Sequence, residues 1–440
     1  MNFLKKHKFI LLLLLAAIFL RAIIYLQIMN KVPFSDYFDY RQWVFNSVSL
    51  GLNKVYFLTA DKRFPLDIDQ PPGSMYILRG SYEVFLVTAK AFTHFLHLNP
   101  GSTLWINDNL MIFFFRLPSL IADIILGWLL YVFVKSKANE KMGLLASGLF
   151  LFGPQIIYNS TVWGQMDAIN NLFFYISLIF LFRKNTFLSI LFYGLSLFVK
   201  VSLLPLLPVY LLIGFGGKFF TFKKFLISLI IIICLFIVLI LPFFPNPMQF
   251  IAFMSHAAGG RSNDITVKAL NFWWFLFNPL WAKSSPPSWN MFLGLSLGSW
   301  GNLLFGALYI PVLVYVWKLI KNKNLSAENI FFAFFLIAFA TFLFLPKMHE
   351  RYLYPIFPLL ITYVCLKAKY WIWLITLSII HFLNLYIVWN PTLFLFGKYE
   401  TMLRWQENIW QLSFLTLLIF IIFYLQFIYS LKMPQKIKYD

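Results

Sequence analysis

The sequence predicts an all-α polytopic membrane protein of about twelve transmembrane helices, and three observations carry that expectation. Of 440 residues, 61% are hydrophobic and only 12% are charged, against roughly 45–50% and about 25% in an ordinary soluble domain. Apolar runs recur from end to end, many near the roughly 20 residues that cross about 30 Å of hydrocarbon. A β-barrel would instead show short segments of alternating hydrophobicity. Finally, the basic residues fall in short connections on one side of the predicted bundle, as the positive-inside rule demands.

The runs place spans at 9–29, 112–134, 143–160, 168–182, 186–199, 202–214, 225–244, 302–318, 329–345, 352–366, 370–389 and 409–430. The fifth and sixth are short enough to form one broken unit, so the expected count is about eleven to thirteen. The opening segment pairs a basic start with an apolar run that continues past Arg21. No small-residue cleavage signal follows, so it reads as a retained first helix with a cytoplasmic N-terminus. From that start every inner turn is basic: Lys135/Lys137/Lys141, Arg183/Lys184, Lys218/Lys223/Lys224, Lys318/Lys321/Lys323, Lys367/Lys369 and the tail Lys432/Lys436/Lys438. Both termini are expected in the cytoplasm. The formal charge of +20 is then an orientation signal, and with no nucleic-acid-binding module present no nucleic-acid partner is expected.

The acids segregate oppositely. Of sixteen Asp and Glu residues, Glu140, Glu328 and Asp440 fall inside, Asp123 falls within a span, and the rest fall outside. Three long outer segments, 30–111, 245–301 and 390–408, contrast with terse inner turns, so a single domain over 1–440 is expected to work on its outer face. Within the first outer segment, SMYILRGSYEVFLVTAKAFTHFLHL has the broken apolar pattern of an amphipathic helix lying along the membrane. Cys234 and Cys365 sit in apolar runs and read as lipid- or core-facing thiols. No internal repeat of the kind used by inverted-repeat transporters is visible.

The candidate chemistry gathers on that outer face. Asp36 and Asp39, in PFSDYFDYRQW, follow the first helix; they read either as solvated loop acids or as a carboxylate base held at the interface. Tyr37, Phe38, Tyr40 and Trp43 beside them suit an interfacial belt and sugar stacking. In DIDQPPGSMY the Pro71-Pro72 pair stiffens the chain, either as plain loop bracing or to steady Asp69 and Gln70 over a pocket. NSTVWGQMDAINN crowds Trp163, Gln165, Asp167, Asn170 and Asn171 at the outer ends of two helices, where polar groups face a cavity or a partner. Asp167 could equally cap its helix, although capping needs neither Trp nor Gln. Lys200, in LFVKVSLLPLLP, lies at the outer boundary, placed to snorkel or to meet a lipid phosphate. Arg261 in HAAGGRSND offers the same service. Arg116 and Asp123, two turns apart on one helix, read as structural. His349, Glu350 and Arg351 end the ninth span between Pro346 and Pro355, as a salt-bridged turn or as a phosphate site.

The ordered set of an acidic first loop, DIDQPPG, WGQMDA, LFVKVSLLPLLP and KMHERYLYP resembles the GT-C superfamily of integral-membrane glycosyltransferases. It is most similar to prokaryotic relatives of the second mannosyltransferase of GPI-anchor synthesis. That family usually reads Asp-Tyr-Pro-Pro, Trp-Gly-Gln-x-Asp and Met-His-Glu-Arg-Tyr; here Gln70 replaces the Tyr, with Asp67 and Asp69 upstream. The resemblance spans about residues 30 to 360. It implies the GT-C fold and transfer of one sugar, mannose favoured, from a polyprenyl-phosphate monosaccharide to a hydroxyl of a glycan, glycolipid or protein. It implies inversion, no divalent metal and no cofactor. The family's base maps to Asp36, with Asp39 in reserve. Lys200, Arg261, His349 and Arg351 are the cations that would meet the donor phosphate or sugar, with Glu350 orienting Arg351. Asp69, Gln70, Trp163, Gln165 and Asp167 would line the pocket. The implied setting is the plasma membrane with an extracytoplasmic active site. Two other classes compete: a lipid flippase, which needs polar residues along a transmembrane path, and a polymerase or ligase of lipid-linked glycans, which lacks this motif order.

Overall fold

Long apolar stretches with no water to satisfy their backbone fold as helices, and the computed structural model is all-α among the described residues apart from two short two-stranded pairings and two isolated bridges. It describes residues 7–29, 35–57, 68–97, 100–257, 262–277, 285–389 and 409–432. Arg261, Asp67 and the 390–408 segment lie outside the described residues.

Among the described residues, seven helices are long and apolar enough to cross a membrane: Lys8–Ile28, Asp108–Lys137, Phe222–Ile240, Leu297–Lys321, Ala327–Phe344, Trp371–Val388 and Trp410–Ser430. An eighth span is possible if Glu140–Leu151 and Pro154–Trp163, bent by 47°, count as one. The protein is therefore a multi-pass membrane protein. Each of the other expected spans is helical but short. Asp167–Phe182 has 16 residues, Thr186–Val199 has 14 and Ile356–Lys367 has 12. At 1.5 Å per residue, 16 residues cover only about 24 Å.

The chain divides into two compact units. The first runs from Lys8–Ile28 to Leu204 and takes in Phe222–Ile240 and Trp389. Lys8–Ile28 and Phe222–Ile240 bury little of themselves and leave Phe9, Leu15, Phe19, Ile230 and Val238 exposed. An apolar surface of that extent belongs in lipid. Pro72–Leu96, the expected surface helix, forms as a 25-residue helix and packs beside Ser35–Ser49 and Pro100–Lys137. Asp123 takes its partners from outside its own helix. Arg21 Nη2 lies 3.5 Å from Asp123 Oδ2, and Ser160 Oγ donates to the same oxygen at 2.5 Å. Arg21 Nη1 also donates to the Leu151 carbonyl at 3.0 Å, which occupies a carbonyl freed where the Glu140–Leu151 helix breaks. Arg116 instead lies over the Tyr25 ring, 5.7 Å from its centroid. Asp123 is thus braced by Arg21 and Ser160, while Arg116 packs on an aromatic ring.

The second unit comprises Pro205–Lys218, Ser262–Val388 and the C-terminal helix. Ala327–Phe344 is its central element; 78% of its span is buried, with Phe331, Phe334, Phe335 and Phe339 fully enclosed. Cys365 is buried here, whereas Cys234 of the first unit faces outward, and both are free thiols.

Candidate active site

The WGQMD segment owes its shape to a break and a glycine. Pro154 sits at the start of a new helical segment, where its missing N–H costs nothing, and residues Tyr158–Trp163 continue as a π-helical turn. Gly164 ends that turn at φ +80°, a left-handed conformation that glycine adopts without strain. The Gly164 and Gln165 amides both donate to the Asn159 carbonyl, at 2.9 and 3.0 Å. Trp163 and Gln165 are thereby presented on one side of a rigid, fully buried corner. The Trp163 ring lies 5.9 Å from that of Trp389, and the Tyr158 hydroxyl donates to the Trp389 carbonyl.

Both presented side chains converge on Asp36. Trp163 Nε1 donates to Asp36 Oδ2 at 2.9 Å, and Gln165 Nε2 donates to the same oxygen. Among the described residues no donor is directed at Oδ1. Asp36 lies in the first turn of Ser35–Ser49 and is half-buried, where the helix dipole favours a carboxylate. Asp39, one turn on, is also half-buried. The aromatic residues around them differ from the expected belt. Tyr37, Tyr40 and Trp43 are each 2% exposed, and only Phe38 is open, at 51%. Their spacing puts the three on one helix face that packs inward. Burial raises the Tyr37 hydroxyl well above its ordinary pKa, so it stays a neutral phenol.

A second polar pair lies in the same unit. Asp167 begins its helix but makes no capping bond; its Oδ1 instead stands 2.6 Å from Lys200 Nζ. Both residues are buried, so each charge depends on the other. Lys200 is itself the extended residue that closes Thr186–Val199. Around the pair, Asn171 Nδ2 donates to the Asp167 carbonyl at 2.8 Å, Asn170 Nδ2 to Ser202 Oγ at 2.9 Å, and Ser196 Oγ to the Asn170 carbonyl at 2.7 Å. The proline-rich motif abuts this region, because a methyl group on Gly73 would overlap the Phe198 carbonyl. Gln70 accepts at its carbonyl from Tyr56 Oη at 3.0 Å. Its side-chain Oε1 is buried with no donor among the described residues. Burial, and secondarily the charge of Asp69, push the Tyr56 hydroxyl above its ordinary pKa.

The HERY segment belongs to the second unit. Met348 and His349 pair in parallel with Thr266 and Val267, and the Lys347 amide donates to the Ile265 carbonyl at 2.7 Å. The second outer segment thus supplies the strand on which His349 hangs. Glu350–Leu353 then turns as a short 3₁₀ helix before Pro355. Glu350 is 2% exposed; its Oε1 accepts from Arg351 Nη1 at 2.8 Å, and its Oε2 lies 3.9 Å from His349 Nδ1. One buried carboxylate holds two basic side chains, and both lie beside Tyr352.

Sequence reasoning missed what braces this turn. Asn384, wholly buried, donates from Nδ2 to the Lys268 carbonyl at 2.8 Å and accepts at Oδ1 from the Leu270 amide at 3.2 Å. Lys268 itself bridges to His349. Trp273 Nε1 and Asn271 Nδ2 donate to the Phe344 and Phe342 carbonyls, at 2.8 and 3.3 Å, satisfying the end of the helix that leads into the turn. The available signal was Asn384 itself, an amide inside an apolar span, where such a group needs a partner.

The structure therefore joins Asp36 with Trp163 and Gln165, pairs Asp167 with Lys200, places Gln70 beside Tyr56, and groups His349, Glu350 and Arg351. Among the described residues no group of three His, Cys, Asp or Glu side chains converges as a metal site. No family model matches the chain, and no curated protein matches it either.

Proposed function

We propose that the protein is a GT-C-type membrane glycosyltransferase that moves one sugar, mannose favoured, from a polyprenyl-phosphate donor to an acceptor hydroxyl. The observation that carries this reading is the convergence of Trp163 and Gln165 on Asp36 Oδ2. Two motifs more than a hundred residues apart meet on one carboxylate and fix it through a single oxygen. Asp36 Oδ1 then accepts the proton of the acceptor hydroxyl as its oxygen attacks the anomeric carbon. The bond from that carbon to the phosphate oxygen breaks, and its electron pair leaves with the lipid phosphate. One displacement inverts the centre and needs one base. The departing phosphate needs no proton, only cations where its charge grows. Arg351 and His349, gathered on Glu350, suit that task, and Arg351 presents a planar fork that matches phosphate oxygens. Lys200, steadied by Asp167, is the corresponding cation of the first unit, and Arg261 is retained as a further candidate. In this reading Asp69 and Gln70 line the pocket, Asp39 is the reserve base, no metal or other cofactor takes part, and the site faces the extracytoplasmic side of the plasma membrane.

The test is transfer of radiolabel by membranes carrying the protein, from polyprenyl-phosphate mannose and separately from a nucleotide sugar. The lipid-linked donor is expected to support transfer and the nucleotide sugar to give none. Transfer from the nucleotide sugar alone, or from neither, overturns the reading.

A further inference from the structure

At the other end of the short helix Thr186–Val199 lies a basic cavity that plays no part in the reaction above. It measures about 480 Å³ and is lined by Arg183, Lys184, Lys224, Thr186, Ser228 and Ile227. Its origin is a packing contrast. Thr186–Val199 and Phe222–Ile240 press together at Gly194, where a Cβ would lie 2.6 Å from the Phe236 ring, and at the Phe198 and Phe236 rings, 5.1 Å apart. Toward their starts the cavity opens, lined by residues of both. Three cations border it, and none has a carboxylate within ion-pair distance among the described residues. Thr186 and Ser228, each 5% exposed, add hydroxyls to its wall.

The cavity is continuous with a lipid-facing stripe. Ile227 belongs both to its lining and to the exposed face of Phe222–Ile240, where Ile227, Ile231 and Val238 are 49%, 50% and 63% exposed. These positions follow one another at helical spacing, starting one turn after Lys224. A ligand seated with its anion among the three cations would have hydrocarbon running along that stripe. A free anion would use the cations and leave the stripe without a role. We infer that this cavity binds the headgroup phosphate of an anionic phospholipid, with an acyl chain laid along Ile227, Ile231 and Val238. Basic pockets between transmembrane helices recognise such headgroups by charge, and each basic residue near an anionic surface contributes about a fivefold factor in binding.

The experiment is native mass spectrometry of the full-length protein in detergent, titrated with dioleoyl-phosphatidylglycerol or dioleoyl-phosphatidylcholine, with inorganic phosphate as competitor. Phosphatidylglycerol is expected to bind in preference, and millimolar phosphate to leave it bound. In Arg183→Gln/Lys184→Gln/Lys224→Gln its affinity should fall by about a hundredfold, from about fivefold per charge. Lys224→Gln alone should show about fivefold and carries the test if the triple variant does not fold. Lys224→Arg and Lys318→Gln/Lys321→Gln should retain wild-type binding. Equal binding of the two lipids, a preference that survives loss of the three charges, or full displacement by phosphate each overturns the inference.

Discussion

The carboxylate of Asp36 and the carboxylate of Glu350 are held in opposite ways. Asp36 receives two neutral donors, an indole and an amide, on one oxygen. Glu350 is almost fully buried and takes a guanidinium on one oxygen and an imidazole near the other. The first arrangement fixes a negative charge without cancelling it, which suits a group that accepts a proton. The second spends its negative charge on orienting cations, so the basic side chains dominate, which suits a group that meets phosphate. The Asp167–Lys200 pair is a third case, one charge against one in a buried setting. Its members keep each other folded as much as they keep each other aligned.

The contrast can be broken at graded cost. Lys200→Ala leaves the Asp167 charge buried alone, which costs about 3–5 kcal/mol. Thermal unfolding in detergent should show that loss, and Asp167→Leu/Lys200→Met should recover most of it. A Lys200→Ala protein as stable as wild type would mean the pair is not coupled. Next, Arg351→Ala should reduce transfer by about a hundredfold, the effect of removing one donor from a developing anion. Arg351→Lys should restore little, since an ammonium lacks the planar fork. Full activity in Arg351→Ala would return the HERY segment to a structural turn.

Smaller effects separate positioning from chemistry. Asn384→Ala removes the brace under the His349 strand, an unpaired buried amide and carbonyl costing about 1–3 kcal/mol. Steady-state kinetics should show a donor KM raised by about tenfold with kcat nearly unchanged, a factor of ten being about 1.4 kcal/mol. A fall in kcat at constant KM would place Asn384 elsewhere in the scheme. Gln165→Ala should do the reverse, lowering kcat by about tenfold at constant KM, because it loosens a base and touches no donor. Combined with Trp163→Phe, its effect should be less than additive, since both act on one oxygen.

Much of this was legible in the sequence, and the remainder divides by physical cause. Hydrophobic runs announced helices at every expected span, because in lipid an apolar run has no other way to satisfy its backbone. Among the described residues the number long enough to cross is smaller than the expected twelve, since the run read as 143–160 breaks at Gly153-Pro154 and the helices Asp167–Phe182, Thr186–Val199 and Ile356–Lys367 stay short. The motif residues were identifiable as unusual, but their partners were not. In an apolar helix every face is apolar, so nothing in the pattern says that Asp123 turns toward Arg21 or Asp167 toward Lys200. Tyr37, Tyr40 and Trp43 have the residue types of an interface belt, where amphipathic aromatics serve, and only packing reveals that their face is internal. Asn384 stood in the sequence as a lone amide, and its role depends on a loop more than a hundred residues away.

The measurement that bears most directly on the account is single-turnover transfer from polyprenyl-phosphate mannose by Asp36→Asn protein, with donor binding measured alongside. Asparagine keeps an oxygen for Trp163 and Gln165 but cannot take a proton at neutral pH. The account predicts donor affinity within about twofold of wild type and transfer slower by about a thousandfold, within the range for loss of a general base. Transfer at the wild-type rate in Asp36→Asn would contradict it.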